Sequence, residues 1–260
     1  MTVLDLRTRA GQPRCSLQAV RETLTHEELH LAIETWRGRM LNEHVSARVF
    51  RQLLTQMKAV GVSDIRQQSV TRMMEDELRH GRQCADIVDA LGGHAIAHIG
   101  ELPDVPTHDD AGALEGLLRN IISISCLSET VAVALITAER LHAQHPLLEE
   151  TLRTILADEV QHARFGWALL DELGDELTPA LRIRLGDYLA PAFAGLRTYE
   201  LANLPSKPAP SRAGEAVGLC DGPSARSIFR TTVQDVIIPG LEAHGLPATR
   251  AWTASFEIAA

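Results

Sequence analysis

The segment Asp76-Glu77-Leu78-Arg79-His80 recurs as Asp158-Glu159-Val160-Gln161-His162, so the pattern Asp-Glu-x-x-His occurs twice in the chain. Both segments lie in stretches whose apolar spacing predicts helix. Residues three apart share one face of a helix, and each copy therefore points a carboxylate and an imidazole in one direction. For this composition about 0.04 such matches are expected by chance, which makes two accidental matches roughly a one-in-a-thousand event. The repeat indicates a site that uses two Glu/His pairs.

The two regions also match outside the motif. At the same offset, identical residues pair as Arg82 with Arg164, Asp89 with Asp171, Leu91 with Leu173 and Gly92 with Gly174. We interpret this likeness as the duplication of a helix pair. Two helices with Glu-x-x-His, together with one Glu from each of two more helices, make up the ligand set of a di-iron or di-manganese carboxylate centre.

The composition excludes several classes of protein. With 260 residues, a net charge of -9 and an isoelectric point near 5.6, the chain shows no basic face for nucleic acid or for an anionic membrane. We find no run of about 18 apolar residues and expect no membrane span. Asp5 interrupts the N-terminus where a signal peptide would be apolar, and the four cysteines form no Cys-x-x-Cys. We therefore expect a cytoplasmic protein without a zinc site or a disulfide framework.

Turn and breaker residues divide the middle of the chain into helices. Glycines or a proline stand at the ends of the periodic stretches, as at Gly61, Gly92 and Pro146. Four long helices are predicted, at about 25–60 with a break near Gly38, at 64–91, at 110–143 and at 147–173. Residues before this region give no clear prediction.

The connection between the second and third helices sets the topology. Residues 92–110 lack periodicity and contain Gly100, Pro103 and Pro106, so they are predicted to be irregular. A connection of 19 residues reaches up to about 60 Å, and a helix of 28 residues is about 42 Å long. The connection can therefore cross the whole bundle, whereas the other two turns are short. This predicts an all-α four-helix bundle made of two antiparallel hairpins joined by one long crossover.

Three regions follow from these elements. We predict an N-terminal segment at 1–25, the four-helix bundle at 26–174 and a helical C-terminal extension at 175–260. Within the extension, a helix at about 176–201 is kinked at Pro191, and a loop rich in Pro, Ser and Gly covers about 204–224. A further helix is predicted at about 227–241.

The helices without the motif each offer one central glutamate, Glu43 on the first and Glu129 on the third. A carboxylate on a core-facing stripe is costly unless it is paired or bound to metal. At about 1.5 Å per residue from each turn, Glu43 matches Glu77 in height and Glu129 matches Glu159. The apolar stripes consist of Trp36, Met40, Ala47, Phe50 and Leu54 around Glu43, and of Ile122, Cys126, Ala132, Val133 and Ile136 around Glu129.

Six side chains are therefore predicted to converge on one metal site: Glu43, Glu77, His80, Glu129, Glu159 and His162. Four adjoining carboxylates would repel one another and take up protons, and two divalent ions about 3.5–4 Å apart remove that repulsion. Metal-bound imidazoles commonly donate their second N–H to a carboxylate. We expect Asp76 and Asp158 to accept these hydrogen bonds across the bundle; the alternative is that both are solvated surface residues.

The order Glu43, Glu77-x-x-His80, Glu129, Glu159-x-x-His162 resembles that of the ferritin-like di-iron carboxylate superfamily, over roughly residues 26–174. The resemblance implies a ferritin-like four-helix bundle, here with additional C-terminal helices. It also implies two iron ions as cofactors, with a Mn/Fe pair as the alternative, and O2 or peroxide chemistry at the metals. Folds of this kind host many reactions, so the resemblance leaves the substrate open.

Departures from known branches narrow the expected function. The chain lacks the Cys-x-x-Cys module of rubrerythrins, and it has Ile155 where arylamine N-oxygenases carry a further His. Its only tyrosines, Tyr188 and Tyr199, follow the bundle, whereas radical-generating reductase subunits need one beside the irons. We expect the oxygenase/oxidase branch: a non-haem di-iron oxidoreductase that activates O2 to oxidise or hydroxylate a small organic substrate.

Two alternatives stay open. One is a ferroxidase or peroxide-detoxifying iron-binding protein without an organic substrate, and the other is a metal-free structural bundle. A large apolar cavity beside the metals would favour the oxygenase. The sequence has no flavin or nicotinamide fingerprint, so an oxygenase would take electrons from a separate ferredoxin or reductase. A homodimer is compatible with the sequence.

Overall fold

The computed structural model describes residues 2–7, 17–100, 104–208 and 211–258. After a short helix, α1 (Gln18–Arg21), four long helical segments form the core. They are α2 (His26–Val60), α3 (Asp64–Ala90), a rod made of α4 (Ala113–Ile121), a π-helical segment (Ile122–Glu129) and α5 (Thr130–His142), and α6 (Pro146–Glu172). The predicted all-α bundle is confirmed.

Local signals set the ends of α2. The hydroxyl of Thr25 accepts a hydrogen bond from the backbone N–H of Glu28, whose carboxylate accepts one from the backbone N–H of Thr25, and the two form a capping box. Gly61 ends the helix with φ of 79°, a conformation that glycine adopts without strain. The predicted break near Gly38 is wrong, because one glycine costs only about 1 kcal/mol in a helix and buried Trp36 and its neighbours pack on both sides of it.

The N-terminal segment pairs with the start of the long connection. β1 (Thr2–Asp5) and β2 (Ile96–Ile99) form an antiparallel two-stranded sheet in which Thr2 lies opposite Ile99. The prediction that the connection is wholly irregular is therefore wrong. A strand of four residues shows too few side chains to give a periodic pattern, and its partner is remote in sequence.

The connection follows α2 along the length of the bundle. Near its start the guanidinium of Arg37 donates to the carbonyl of His94, and near its end the amide of Gln56 donates to the carbonyl of Pro106. Between residues 37 and 56 a helix rises by about 28 Å. This is the predicted long crossover, and it leaves α3 and the rod parallel.

The rod Ala113–His142 is long and apolar enough to cross a membrane, judged by length and composition alone. No membrane-spanning segment is predicted from the sequence. In the structure the rod is the inner helix of the bundle, and Ile121, Ile122, Cys126 and Leu127 are completely buried. Its apolar character is accounted for by this position in the core.

Gly166 allows α6 to approach the π-helical segment closely. A Cβ at this position would lie 2.5 Å from the Cβ of Ser125 and 2.9 Å from the Sγ of Cys126. These distances are shorter than van der Waals contact, so a larger residue would displace one of the helices. Because the π-helical segment ends at Glu129, this contact helps to fix the position of that carboxylate.

Further helices follow α6. They are α7 (Pro179–Asn203), α8 (Arg212–Glu215), α9 (Gly222–Thr232), a second π-helical segment (Val233–Ile237), α10 (Ile238–Ala243) and α11 (Ala248–Ala254). Among them, α7, α9 and the second π-helical segment pack on the rod. Pro191 lies inside α7, and Phe193 and Phe229 belong to a buried cluster shared with the rod. The predicted loop at 204–224 is wrong in part, because α8 interrupts it. The division into regions at 25/26 and 174/175 stays a prediction.

We predict opposite effects for alanine at two helical glycines. Gly38→Ala should raise the free energy of unfolding by about 1 kcal/mol, because no atom lies within 4 Å of the added Cβ and alanine is the better helix former. Gly166→Ala should lower it by about 1–3 kcal/mol through overlap with Ser125. Urea unfolding of both variants measures the two changes, and changes of the same sign would contradict this packing.

Candidate metal centre

All four core segments contribute side chains to one cluster in the middle of the bundle, and they include every ligand candidate from the sequence. The ligand atoms fall into two sets, and within each set they lie within 4.8 Å of one another. One set consists of Glu43, Glu77, His80 and Glu159, and the other of Glu77, Glu129, Glu159 and His162.

Glu77 and Glu159 belong to both sets, and one imidazole lies on each side of them. His80 Nδ1 lies 3.4 Å from Glu43 and 3.5 Å from Glu159. His162 Nδ1 lies 3.0 Å from Glu77 and 3.1 Å from Glu159. The centroids of the two imidazole rings are 6.2 Å apart, well below the roughly 12 Å beyond which a dinuclear centre could not join them.

Two aspartates contact the imidazoles from outside the cluster. His80 Nε2 lies 3.0 Å from Asp158, and His162 Nε2 lies 3.4 Å from Asp76. Each aspartate therefore contacts the imidazole from the other copy of the repeat. A carboxylate beside Nε2 favours the proton on that nitrogen, so that Nδ1, which faces the glutamates, could give up its proton and bind a metal ion.

Arg79 joins the two aspartates. Its guanidinium lies 2.8 Å from Asp76 and 2.7 Å from Asp158. The positive charge offsets both carboxylates and holds them in place behind the imidazoles. Arg79 is not among the site residues predicted from the sequence. It lies three residues after Asp76 on the same helix, so their spacing could have indicated the contact.

The cluster differs from Glu115 and Glu139, two other acids of the rod, because it has no arginine. Glu115 forms ion pairs at 2.6 Å with two arginines, and Glu139 pairs with Arg39. Among the described residues, none of the four cluster glutamates forms an ion pair with Lys or Arg. Their negative charges are therefore left for histidines, protons or metal ions to balance.

Two buried atoms of the cluster, Oε1 of Glu77 and Nδ1 of His80, make no hydrogen bond of good geometry, although His162 Nδ1 lies 3.0 Å from the first and Glu43 lies 3.4 Å from the second. Buried polar atoms are normally satisfied, and an unsatisfied one costs about 1–3 kcal/mol. Both residues belong to the ligand sets, so a bound metal ion would supply the missing partner. A donor set of carboxylates and imidazoles suits iron or manganese.

Burial and mutual repulsion change the proton affinities of the metal-free cluster. Burial, and after it the charge of Glu159, raises the pKa of Glu77 and of Glu129 well above the usual carboxyl range. Burial also disfavours the charged forms of Glu159 and His80, but interactions with neighbouring groups outweigh it. Hydrogen bonds to the imidazoles lower the pKa of Glu159, and the neighbouring carboxylates raise the pKa of His80 to about 10. The cluster thus holds protons that divalent ions would replace.

The π-helical segment that ends at Glu129 is the part of the site with no sequence signal. A π-helical turn widens the helix and rotates the residues that follow it relative to those before it, and such turns are frequent at functional sites. The rod is apolar on several sides at this point, with Ile122, Cys126 and Leu127 all buried. The apolar stripe predicted around Glu129 assumes the regular 3.6-residue period, and it therefore does not reveal such a rotation.

Other histidines and cysteines stay outside the cluster. In the part of the chain that the structure describes, neither ligand set includes His44, His94 or any cysteine. Cys84 and Cys126 are buried, and burial raises the pKa of each thiol well above its usual value. Both are therefore packing residues in their thiol form.

Comparisons with known proteins establish the fold. No protein-family model matches the chain, and no curated protein sequence matches it. Among solved structures, it resembles Protein 19 with aldehyde deformylating oxidase activity from Synechococcus, with a TM-score of 0.57 and 16% sequence identity. The match covers 86% of this chain and 97% of the other. The ferritin-like helical bundle predicted from the sequence is confirmed.

We predict that Glu77→Gln stabilises the metal-free protein, and increasingly so as the pH rises. The pKa of Glu77 is higher in the folded chain than its ordinary value of 4.5, so ionisation of this carboxyl opposes folding. Native and variant proteins should unfold alike below the ordinary carboxyl pKa, and the variant should gain an advantage above it.

Thermal unfolding with a chelator between about pH 4 and about pH 8 measures this advantage. Glu75→Gln is the matched control, because Glu75 is exposed on the same helix. A stability difference for Glu77→Gln that does not change with pH would contradict the assignment of a buried, repelled carboxyl at this position.

Proposed function

We propose that this ferritin-like bundle is a non-haem di-iron oxidoreductase that activates O2 and oxidises or hydroxylates a small organic substrate. The observation that supports the proposal is the pair of overlapping ligand sets that share Glu77 and Glu159. Di-iron carboxylate centres use one Glu from each of two helices and Glu-x-x-His from each of two others. The four core segments of this chain supply the same donors.

The overlap of the two sets gives each ligand a role. Glu77 and Glu159, which belong to both sets, would help to hold both ions, whereas Glu43 and His80 would hold the first and Glu129 and His162 the second. Four carboxylates balance the four positive charges of two ferrous ions, which removes the repulsion within the cluster. Bound iron, or a Mn/Fe pair as the alternative, supplies the O2 chemistry.

Residues around the ligands keep the site ordered and dry. Asp76 and Asp158 hold the imidazoles in the orientation that turns Nδ1 toward the glutamates. Phe50 is fully buried and lies edge-on to His162, with ring centroids 5.5 Å apart. Exclusion of water by such packing strengthens every charge interaction within the site.

A cavity of about 740 Å³ lies between α2, α5 and the chain that follows α7. Its walls include Leu31, Leu135 and Leu204. On α2 its lining includes Arg39, one helical turn before Glu43 and within range of its charge. The cavity therefore lies about one helical turn from Glu43, and none of the six ligand candidates is part of its lining.

The size of this cavity favours an organic substrate over the oxidation of iron alone. Pockets that bind small molecules typically have volumes of about 300–1,000 Å³. Among the polar groups of the lining, Oε2 of Glu139 is buried and has no hydrogen-bond partner, so it could accept a hydrogen bond from a substrate.

The proposed reaction also needs a source of electrons and a reducing compartment, which the chain itself does not supply. No flavin or nicotinamide motif is present in the sequence, so the electrons would come from a ferredoxin or a reductase. The free thiols of Cys84 and Cys126 suit a reducing compartment, and we place the protein in the cytoplasm.

Anaerobic loading with Fe(II), followed by rapid mixing with O2, tests the proposed function. We expect about two iron ions per chain, and O2 consumption that an organic substrate accelerates. Isotope-labelled O2 and mass spectrometry identify the product. Aldehydes are the first class to test, because the structural neighbour is described as an aldehyde deformylating oxidase. Iron oxidation that no organic compound affects would support the ferroxidase alternative, and failure to bind iron would contradict both.

Glu43→Ala should retain the fold but lose at least one iron ion per chain. Removal of a partly buried carboxylate from a cluster of like charges removes a desolvation and repulsion cost, so the metal-free variant should be as stable as the native protein or more stable. The rise in melting temperature on iron addition should shrink, since weaker binding gives less stabilisation by mass action.

Metal analysis and thermal unfolding measure these two effects, with His44→Ala as the control at the neighbouring position. The control should bind a full complement of iron. If Glu43→Ala also binds a full complement with an unchanged melting shift, another group or water completes the site.

Gly38→Trp should obstruct the cavity without disturbing the metal centre. Gly38 lines the cavity, and no atom lies within 4 Å of a Cβ added there. We expect substrate oxidation to fall by at least about tenfold, equivalent to about 1.4 kcal/mol, with an unchanged iron content. Gly38→Ala is the control and should keep full activity. Undiminished turnover in Gly38→Trp would show that the substrate binds elsewhere.

A further inference from the structure

A groove of about 440 Å³ lies between α3 and α6, and its lining includes Arg66, Arg72, Arg164, Asp76 and His162. We propose that this arginine groove is the docking site for a small acidic electron-carrier protein. Its role in electron delivery rests on the di-iron function proposed above, whereas the docking itself can be tested without metal.

The charge of the arginine groove is opposite to that of the molecule. The whole chain carries a net charge of -9, but the groove lining contains three arginines and one aspartate. That aspartate, Asp76, is already paired with Arg79 and contacts His162. A positive groove on an otherwise acidic protein directs an acidic partner to one face.

Two of the three arginines have no partner within the chain. Arg66 pairs with Glu172 at 2.6 Å. Within the described ranges, Arg72 and Arg164 are exposed and form no ion pair or hydrogen bond. Exposed guanidinium groups without partners are available to the carboxylates of another protein, which they can bind with two parallel hydrogen bonds.

The floor of the groove includes a residue of the metal cluster. His162 is completely buried beneath the groove, and its Nδ1 lies 3.0 Å from Glu77 inside the cluster. Asp76, also in the lining, lies 3.4 Å from the other nitrogen of the same imidazole. A carrier in the groove would be separated from the metal position by one imidazole ring.

The arginine groove and the cavity beside Glu43 lie on opposite faces of the bundle. Helix α2 packs on α3 and α4, and α6 packs on α3 and the rod, so α2 and α6 stand at opposite corners. The groove lies between α3 and α6, and the cavity lies between α2 and α5. An electron carrier and a substrate could therefore be bound at the same time.

The proposed transfer balances as two one-electron steps. Each reduced carrier would lose one electron in one docking event, and two successive carriers would supply the two electrons that two ferric ions need to become ferrous. No covalent bond of the chain forms or breaks. A compact acidic domain fits this groove better than a long polyanion, which would extend onto the surrounding acidic surface and be repelled there.

Calorimetric titration of the metal-free protein with an acidic plant-type [2Fe–2S] ferredoxin tests the docking. We expect binding at low salt that weakens by at least about tenfold between roughly 20 mM and roughly 200 mM salt, because it depends on exposed charges. Arg72→Glu/Arg164→Glu should weaken binding by at least about tenfold at low salt. Glutamine at both positions should give a smaller loss of the same sign.

Arg230→Glu/Arg250→Glu is the matched control. Both arginines are exposed on the C-terminal helices, and their replacement changes the net charge by the same amount. The control should stay within about twofold of the native affinity. A second readout is the oxidation of reduced ferredoxin by the iron-loaded protein, which should slow in the groove variant and not in the control.

Three results would overturn the docking proposal: no binding at low salt, equal binding by the groove and control variants, or tighter binding of single-stranded DNA than of ferredoxin at the groove. If ferredoxin binds through the arginines but the protein takes up no iron, the docking surface stands and the di-iron function is contradicted instead.

Discussion

The four glutamates in the middle of the bundle impose the constraint on which the rest of the structure depends. A buried carboxylate without a positive partner is among the costliest groups that a core can hold. Elsewhere on the same helices, ion pairs with arginines offset this cost, as at Glu115 and Glu139. In the cluster no such pair forms among the described residues, and burial together with the neighbouring carboxylates raises the pKa of Glu77 and Glu129, which favours their protonated forms when no cation is bound. Two divalent ions would remove both the repulsion and the unsatisfied atoms.

The architecture brings these carboxylates to one height. The crossover along α2 sets the rod parallel to α3, and the π-helical segment and Gly166 position Glu129 against α6. Outside the cluster, Arg79 and two aspartates fix the imidazoles. The same arrangement leaves two unlike faces: a largely apolar cavity between α2 and α5, and a groove with unpaired arginines between α3 and α6.

Much of this arrangement could be predicted from the sequence, because the repeated motif, the helix breaks and the 3.6-residue period are each visible within a short stretch of the chain. They predicted the four helices, the crossover and the convergence of residues as remote as Glu43 and Glu159. The β1–β2 pairing and the π-helical turn could not be predicted, since the first depends on a remote partner and the second departs from the regular 3.6-residue period that the predicted stripe assumes. The cavity arises from chain segments distant in sequence, and no local pattern marks it.

The most direct test of the account is anomalous diffraction at the iron edge from crystals of the iron-loaded protein. The account predicts two peaks about 3.5–4 Å apart, both between Glu77 and Glu159, with His80 bound to one ion and His162 to the other. A single peak, or iron bound only at other positions while the glutamate cluster holds none, would contradict it.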